Sequence, residues 1–193
     1  NIIKIMKKTI LLLLAAMGIA TANAQVKYEP EFIGETNLLC INDGDTTCVA
    51  TTKEKGKVTE KAGASVYLVG IGEVKSRIHI DGITTNSIGK KADYKAFSLV
   101  VRGANNNQDP NSFITILKFD VTKKARRCVI SKESTFGGVK NGIEKELDFQ
   151  AKRYGEASYL LNFNPEPGEY GVMVTNPENK TEKNAIVYTF TIK

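Results

Sequence analysis

Only one histidine, His79, is available to this chain, so any serine- or cysteine-based hydrolytic relay would have to run through it. It lies in the run Arg77-Ile78-His79-Ile80-Asp81. Period-two alternation there puts Arg77, His79 and Asp81 on one face and Ile78 and Ile80 on the other. The spacing suits a general base oriented by Asp81. A relay also needs a positioned nucleophile, and the chain contains no G-x-S-x-G, no H-E-x-x-H and no phosphate-cradling glycine loop. The expectation is therefore a hydrogen-bonded strand histidine, with no catalytic residue and no cofactor assigned.

Three cysteines carry the next chemistry. Cys40 and Cys48 flank the turn-rich Asn42-Asp43-Gly44-Asp45, and a hairpin folded about Gly44 would set position 40 opposite 48, close enough for a disulfide. Their spacing is wider than a C-x-x-C redox pair. Cys128 follows Arg126 and Arg127, which would favour a thiolate, but its neighbours Val129 and Ile130 suit a small core residue better. Carboxylates alone could support glycoside hydrolysis, yet Glu144, Glu146, Glu166 and Glu169 sit beside lysines or in turns and read as surface. Residues 42–45 and 105–109 are acidic turns without an EF-hand pattern, so no metal site is expected.

A basic run, Lys118, Lys123, Lys124, Arg126, Arg127 and Lys132, could meet an acidic glycan or a lipid headgroup. It lacks the interleaved aromatics of a nucleic-acid platform, so nucleic acid is not an expected partner. Ile114 and Ile116 adjoin it. Together Ile114, Ile116, Lys118, Lys123, Lys124, Arg126 and Arg127 form the surface expected to contact a protein or glycan partner. Asn179-Lys180-Thr181 fits a glycosylation sequon, but it says nothing in a bacterial context.

The segments that must position these groups begin after a leader. Met6-Lys7-Lys8 precedes the apolar run 10–22, and Ala22-Asn23-Ala24 supplies a small-x-small cleavage pattern. This resembles a bacterial secretory signal peptide, removed after residue 24, with residues before Met6 read as upstream translation. The apolar run is shorter than the ~20 residues that span a bilayer, so no transmembrane segment is expected after cleavage. Loss of Lys4, Lys7 and Lys8 lowers the formal charge from +6 to +3, too mild a balance to imply a polyanionic genome as partner. The expected destination is periplasm, cell surface or medium.

Downstream, short alternating runs are separated by turn signals and no helical stripe emerges. Strands are expected near residues 32–40, 47–52, 75–81, 96–102, 126–131, 147–151, 159–163, 170–174 and 186–192, with a bulged strand at 64–69. Lys53-Glu54-Lys55-Gly56-Lys57 reads as a solvated turn. Residues 113–121 form the expected central rung, with Phe113, Leu117, Phe119 and Val121 buried on its odd face. Ile114 and Ile116 then need an outer cover, either residues 32–69 or a partner.

The fold class is all-β, an antiparallel sandwich with an Ig-like arrangement expected and an up-and-down barrel as the alternative. It forms one domain over 25–193, with a smaller β subregion at 25–90 packed on 91–193. Pro167-Gly168-Glu169-Tyr170 followed by Val172 and Val174 resembles the last hairpins of uncharacterised exported bacterial β-sandwich proteins. That resemblance implies a fold and a compartment and assigns no catalytic residue. The expected function is a non-enzymatic exported interaction or structural module of the cell envelope. A carboxylate-based hydrolase acting on carbohydrate and a subunit of a larger envelope assembly are the alternatives.

Overall fold

The computed structural model describes residues 27–62, 73–86, 88–90, 93–134, 138–141, 143–175 and 184–193. Among these, the regular structure is all β apart from 3-10 turns at Asp93 and Pro110–Ser112. The strands are β1 (Thr36–Asn42), β2 (Asp45–Ala50), β3 (Thr52–Ala62), β4 (Glu73–Asp81), β5 (Ile88–Gly89), β6 (Ala96–Arg102) and β7 (Ile114–Val121). They continue with β8 (Ala125–Ser134), β9 (Gly138–Asn141), β10 (Glu146–Leu147), β11 (Gln150–Tyr154), β12 (Ser158–Phe163), β13 (Gly168–Val174) and β14 (Asn184–Ile192). The bulged strand expected at 64–69 lies outside the described residues.

An open antiparallel sheet takes the order β11-β12-β6-β1-β2. The second sheet runs β7-β13-β14-β3-β4-β8 and closes on itself, because β8 returns to β7 through Asp120↔Arg127 and Val121↔Arg126. The result is a six-strand antiparallel barrel with β9 and β10 attached along its seam and β5 lying parallel to β14. The strands of residues 25–90 are divided between the two sheets and pair with later strands in both.

Alternation explains why there are two cores. In β14, Tyr188, Phe190 and Ile192 point toward the open sheet and join Leu38, Cys40, Phe97, Leu99, Tyr159 and Leu161 in one buried cluster. Val187 points the other way, into a barrel core shared with Ile78, Ile80, Leu117, Phe119 and Cys128. A narrow barrel has little room at its waist. Gly56 and Gly171 supply it: a Cβ on Gly56 would lie 2.6 Å from Ile78 Cγ2, and one on Gly171 2.5 Å from Val187 Cγ1.

Several expectations change here. In β7 both faces are covered. Ile114 and Ile116 are buried against the open sheet, where β1 supplies only part of the cover beside β6 and β12, while Leu117 and Phe119 fill the barrel. Val121, expected inside, is 52% exposed at the strand end. The run 53–57 is no turn. It belongs to β3, whose lysines alternate with Glu54 and Gly56 because the latter two face the barrel interior.

Candidate functional site

His79 Nε2 lies 3.2 Å from Asp81 Oδ1, as the spacing leads one to expect. Asp81 also pairs with Lys57 at 3.7 Å. The ladder neighbours of His79 are Lys57 and Arg127, both cations, so the imidazole is flanked by charge rather than by a nucleophile.

The hairpin turn determines what the cysteines can do. Asp43 and Gly44 both have positive φ (39° and 89°), which makes a two-residue turn of the primed kind. Asn42 then pairs with Asp45, Cys40 with Thr47 and Cys48 with Leu39. The register differs by one residue from a hairpin centred on Gly44, so the two sulfurs lie on opposite faces of the sheet. Cys40 is buried in the core, Cys48 is exposed, and all three cysteines are free thiols. Burial, with a smaller contribution from Cys48, pushes the Cys40 thiol up to about 11. Burial likewise takes Cys128 to about 11, the opposite of an activated thiolate.

The acidic turns use their oxygens locally. Asp43 takes the Lys95 ammonium at 2.5 Å and Asp45 accepts the Thr46 N–H. Asn105 accepts from Asn107 N–H and Asp109 from Asn111 N–H. Among the described residues no group of three or more His, Cys, Asp or Glu side chains is placed to hold a metal ion.

The surface expected from the sequence does not hold together. Ile114, Ile116 and Arg126 are each at most 1% exposed. Lys118 is half-buried over the Tyr170 ring and bound to Glu166 at 2.9 Å, which raises its pKa. Only Lys123, Lys124 and Arg127 remain exposed.

Arg126 instead anchors a polar network at one end of the barrel interior. Its guanidinium donates to Glu54 at 2.8 Å and to the carbonyl oxygens of Gly82 and Asp81. Its Nη1 stands 3.9 Å from Glu169, which corrects the expectation that Glu169 is a surface acid. Thr189 donates to Glu54 at 2.5 Å and Thr191 to Glu169 at 2.9 Å. The residues come from β3, β8, β13 and β14, so the network ties four of the six staves to the Asp81–Gly82 turn. The alternation Arg126-x-Cys128 within the strand expected at 126–131 is the signal for an inward Arg126, and the surrounding cations Lys123, Lys124, Arg127 and Lys132 mask it.

A second polar tie was not visible in the sequence. Residues 27–30 lie along the outer side of the open sheet, where Asn37 donates to the Tyr28 carbonyl, Tyr28 donates to the Thr46 carbonyl, and Tyr154 donates to that of Lys27. Glu29 accepts from Ala157 N–H, Glu156 N–H and the Ser158 hydroxyl, and pairs with Arg102 at 3.3 Å. Burial acts to raise its carboxyl. The three hydrogen bonds and Arg102 outweigh that and hold it below 4.5.

The outward face of β3, β4 and β8 concentrates positive charge. Lys53, Lys55 and Lys57 follow one another along β3, and Lys57, His79 and Arg127 form one rung across three strands. Arg77 lies on the adjoining rung beside Thr59 and Val129. These five cations share the face with two described acids, Asp81 and Asp120, which leaves a local excess of three charges on a chain whose total is +6. Asp120 lies directly opposite Arg127 and is paired with Lys145. Lys53, Lys55, Arg77 and Arg127 make no ion pair among the described residues, and Lys53, Lys55 and Arg127 are exposed. The face is bounded toward β7 by the Asp120–Lys145 pair and toward β14 by Ile186.

No known family matches this chain, and no curated protein and no solved structure matches it.

Proposed function

We propose that the chain is a non-enzymatic interaction or structural module exported to the cell envelope. The observation that carries this reading is that its convergent charged groups close on one another. Arg126 is engaged by Glu54 and backbone carbonyls, with Glu169 3.9 Å away and the facing Arg126 Nη1 and Glu169 Oε2 making no hydrogen bond. Glu29 is met by three donors and Arg102, so Arg126 and Glu29 each serve to join strands. A catalytic carboxylate would instead face a site that a substrate can enter. The leader at residues 1–24 supports export. Among the described residues no helix is long and apolar enough to cross a membrane.

As architecture we infer a two-layer sandwich with one layer rolled, in preference to an up-and-down barrel. One buried cluster draws on both sheets, and the barrel order skips along the chain where an up-and-down barrel would pair consecutive strands. The assembly-subunit reading draws support from Phe32 and Ile33, adjacent, exposed at 60% and 62%, and set beside the end of β6.

The test is to incubate the protein with a panel of neutral and acidic polysaccharides and measure, in the same samples, depletion of protein and release of reducing ends. The expected result is no reducing-end release on any polymer. Release that is abolished by Glu146→Gln or Glu166→Gln, both at exposed carboxylates, with the urea midpoint retained, would establish the carboxylate-hydrolase reading instead.

A further inference from the structure

We propose that the outward face of β3, β4 and β8 binds an acidic polysaccharide through Lys55, Lys57, Arg77 and Arg127, a proposal that rests on the interaction-module reading and names its ligand class. Strand geometry sets the charges on a grid. Side chains two apart on β3 stand about 7 Å from each other, and ladder neighbours about 5 Å. Lys57 and Arg127 flank His79 on one rung, and the acids described beside them are Asp81, which pairs with Lys57, and Asp120, which pairs with Lys145. Such a face gains from a ligand that brings anions at regular intervals, and a polymer of uronic acids carries one on each sugar.

Two features of the face favour a glycan over other polyanions. Nucleic-acid platforms present aromatic side chains on which bases stack, and the outward residues of these strands include none. Binding to an anionic membrane is strengthened by apolar groups that enter the headgroup layer, and the exposed apolar residue here, Ile186, stands at the rim. The lysine and arginine stems present extended, flexible donors over an open wall, which suits an elongated chain of carboxylates rather than a small molecule needing a pocket.

The probe is polygalacturonate, with neutral dextran, phosphatidylglycerol vesicles and single-stranded DNA as parallel arms at low and moderate salt. The variant Lys55→Gln/Lys57→Gln/Arg127→Gln is compared with Lys123→Gln/Lys124→Gln/Lys152→Gln, which removes the same charge from exposed positions elsewhere. Polygalacturonate binding should fall at least about tenfold in the first variant and less than about twofold in the second, with affinity decreasing as salt rises. Dextran should not bind. Equal loss in both variants would overturn the proposal, because overall charge would then be the cause. Absence of polygalacturonate binding, with or without binding to vesicles or DNA, would overturn it too. None of these failures releases reducing ends, so they leave the non-enzymatic reading standing. Cleavage of the polymer would bring that reading down separately.

Discussion

Arg126 and Arg127 are neighbours in β8 and share a charge, but they lie on opposite sides of the barrel wall. Arg126 is 1% exposed and is met by Glu54, Glu169 and two backbone carbonyls. Arg127 is exposed and faces His79 across the ladder. Inside, Arg126 links strands through Glu54 and backbone carbonyls, while its Nη1 and Glu169 Oε2 make no hydrogen bond. Outside, Lys57 pairs with Asp81 and Arg127 stands opposite Asp120, but Lys53, Lys55, Arg77 and Arg127 make no ion pair among the described residues. In a narrow barrel the position of a cation relative to the wall decides whether it joins strands inside or stays open to solvent outside.

The inner side should break first and hardest. Arg126→Leu leaves Glu169 buried without its cation and should cost about 3–5 kcal/mol, read from urea unfolding. A companion Glu169→Leu in the same chain should restore part of that loss, because no uncompensated charge then remains at that position. A full loss that the second substitution does not touch would mean that the pair is not coupled.

Glu29 extends the comparison to the open sheet, where a buried carboxylate also joins strands. Glu29→Ala should cost about 2–3 kcal/mol, since it removes charge-assisted hydrogen bonds from two N–H groups and a hydroxyl. Its folded carboxyl is held below 4.5, so the stability it contributes is present above that value and lost as pH falls through the lower folded value. Wild type should therefore lose stability faster than the variant on acidification below 4.5. Parallel pH profiles would contradict this role.

Gly56→Ala tests the space inside the wall without touching charge. The added methyl meets Ile78 Cγ2 at 2.6 Å and should cost about 1–3 kcal/mol, measured as a lowered unfolding midpoint. The smallest effect is expected outside. Arg127→Gln should change stability by less than about 0.5 kcal/mol, because an unpaired exposed cation supports nothing in the fold.

How much of this was legible in the sequence depended on how many faces of a strand are covered. Strands such as β6 and β12 were readable, since Phe97, Leu99 and Val101 alternate, as do Tyr159 and Leu161, on the face that meets the barrel. The strand at 113–121 misled because it is sandwiched between two cores, so Ile114 and Ile116 carry no surface signal despite adjoining lysines. The stretch 53–57 misled for the opposite reason. Its lysines made it look like a turn, although Glu54 and Gly56 at alternate positions are what a polar, crowded barrel interior requires. The closing partners of Glu29 lie more than a hundred residues away, and no local pattern could announce them.

The central proposal is that the outer cations act in recognition and contribute nothing to the fold. Its most direct test is the affinity of Lys57→Gln/Arg127→Gln for polygalacturonate, with the urea midpoint taken on the same sample. The predicted result is an affinity at least about fivefold weaker with a midpoint free energy within about 0.5 kcal/mol of wild type. Unchanged affinity, or a fall in stability comparable to that of Arg126→Leu, would contradict it.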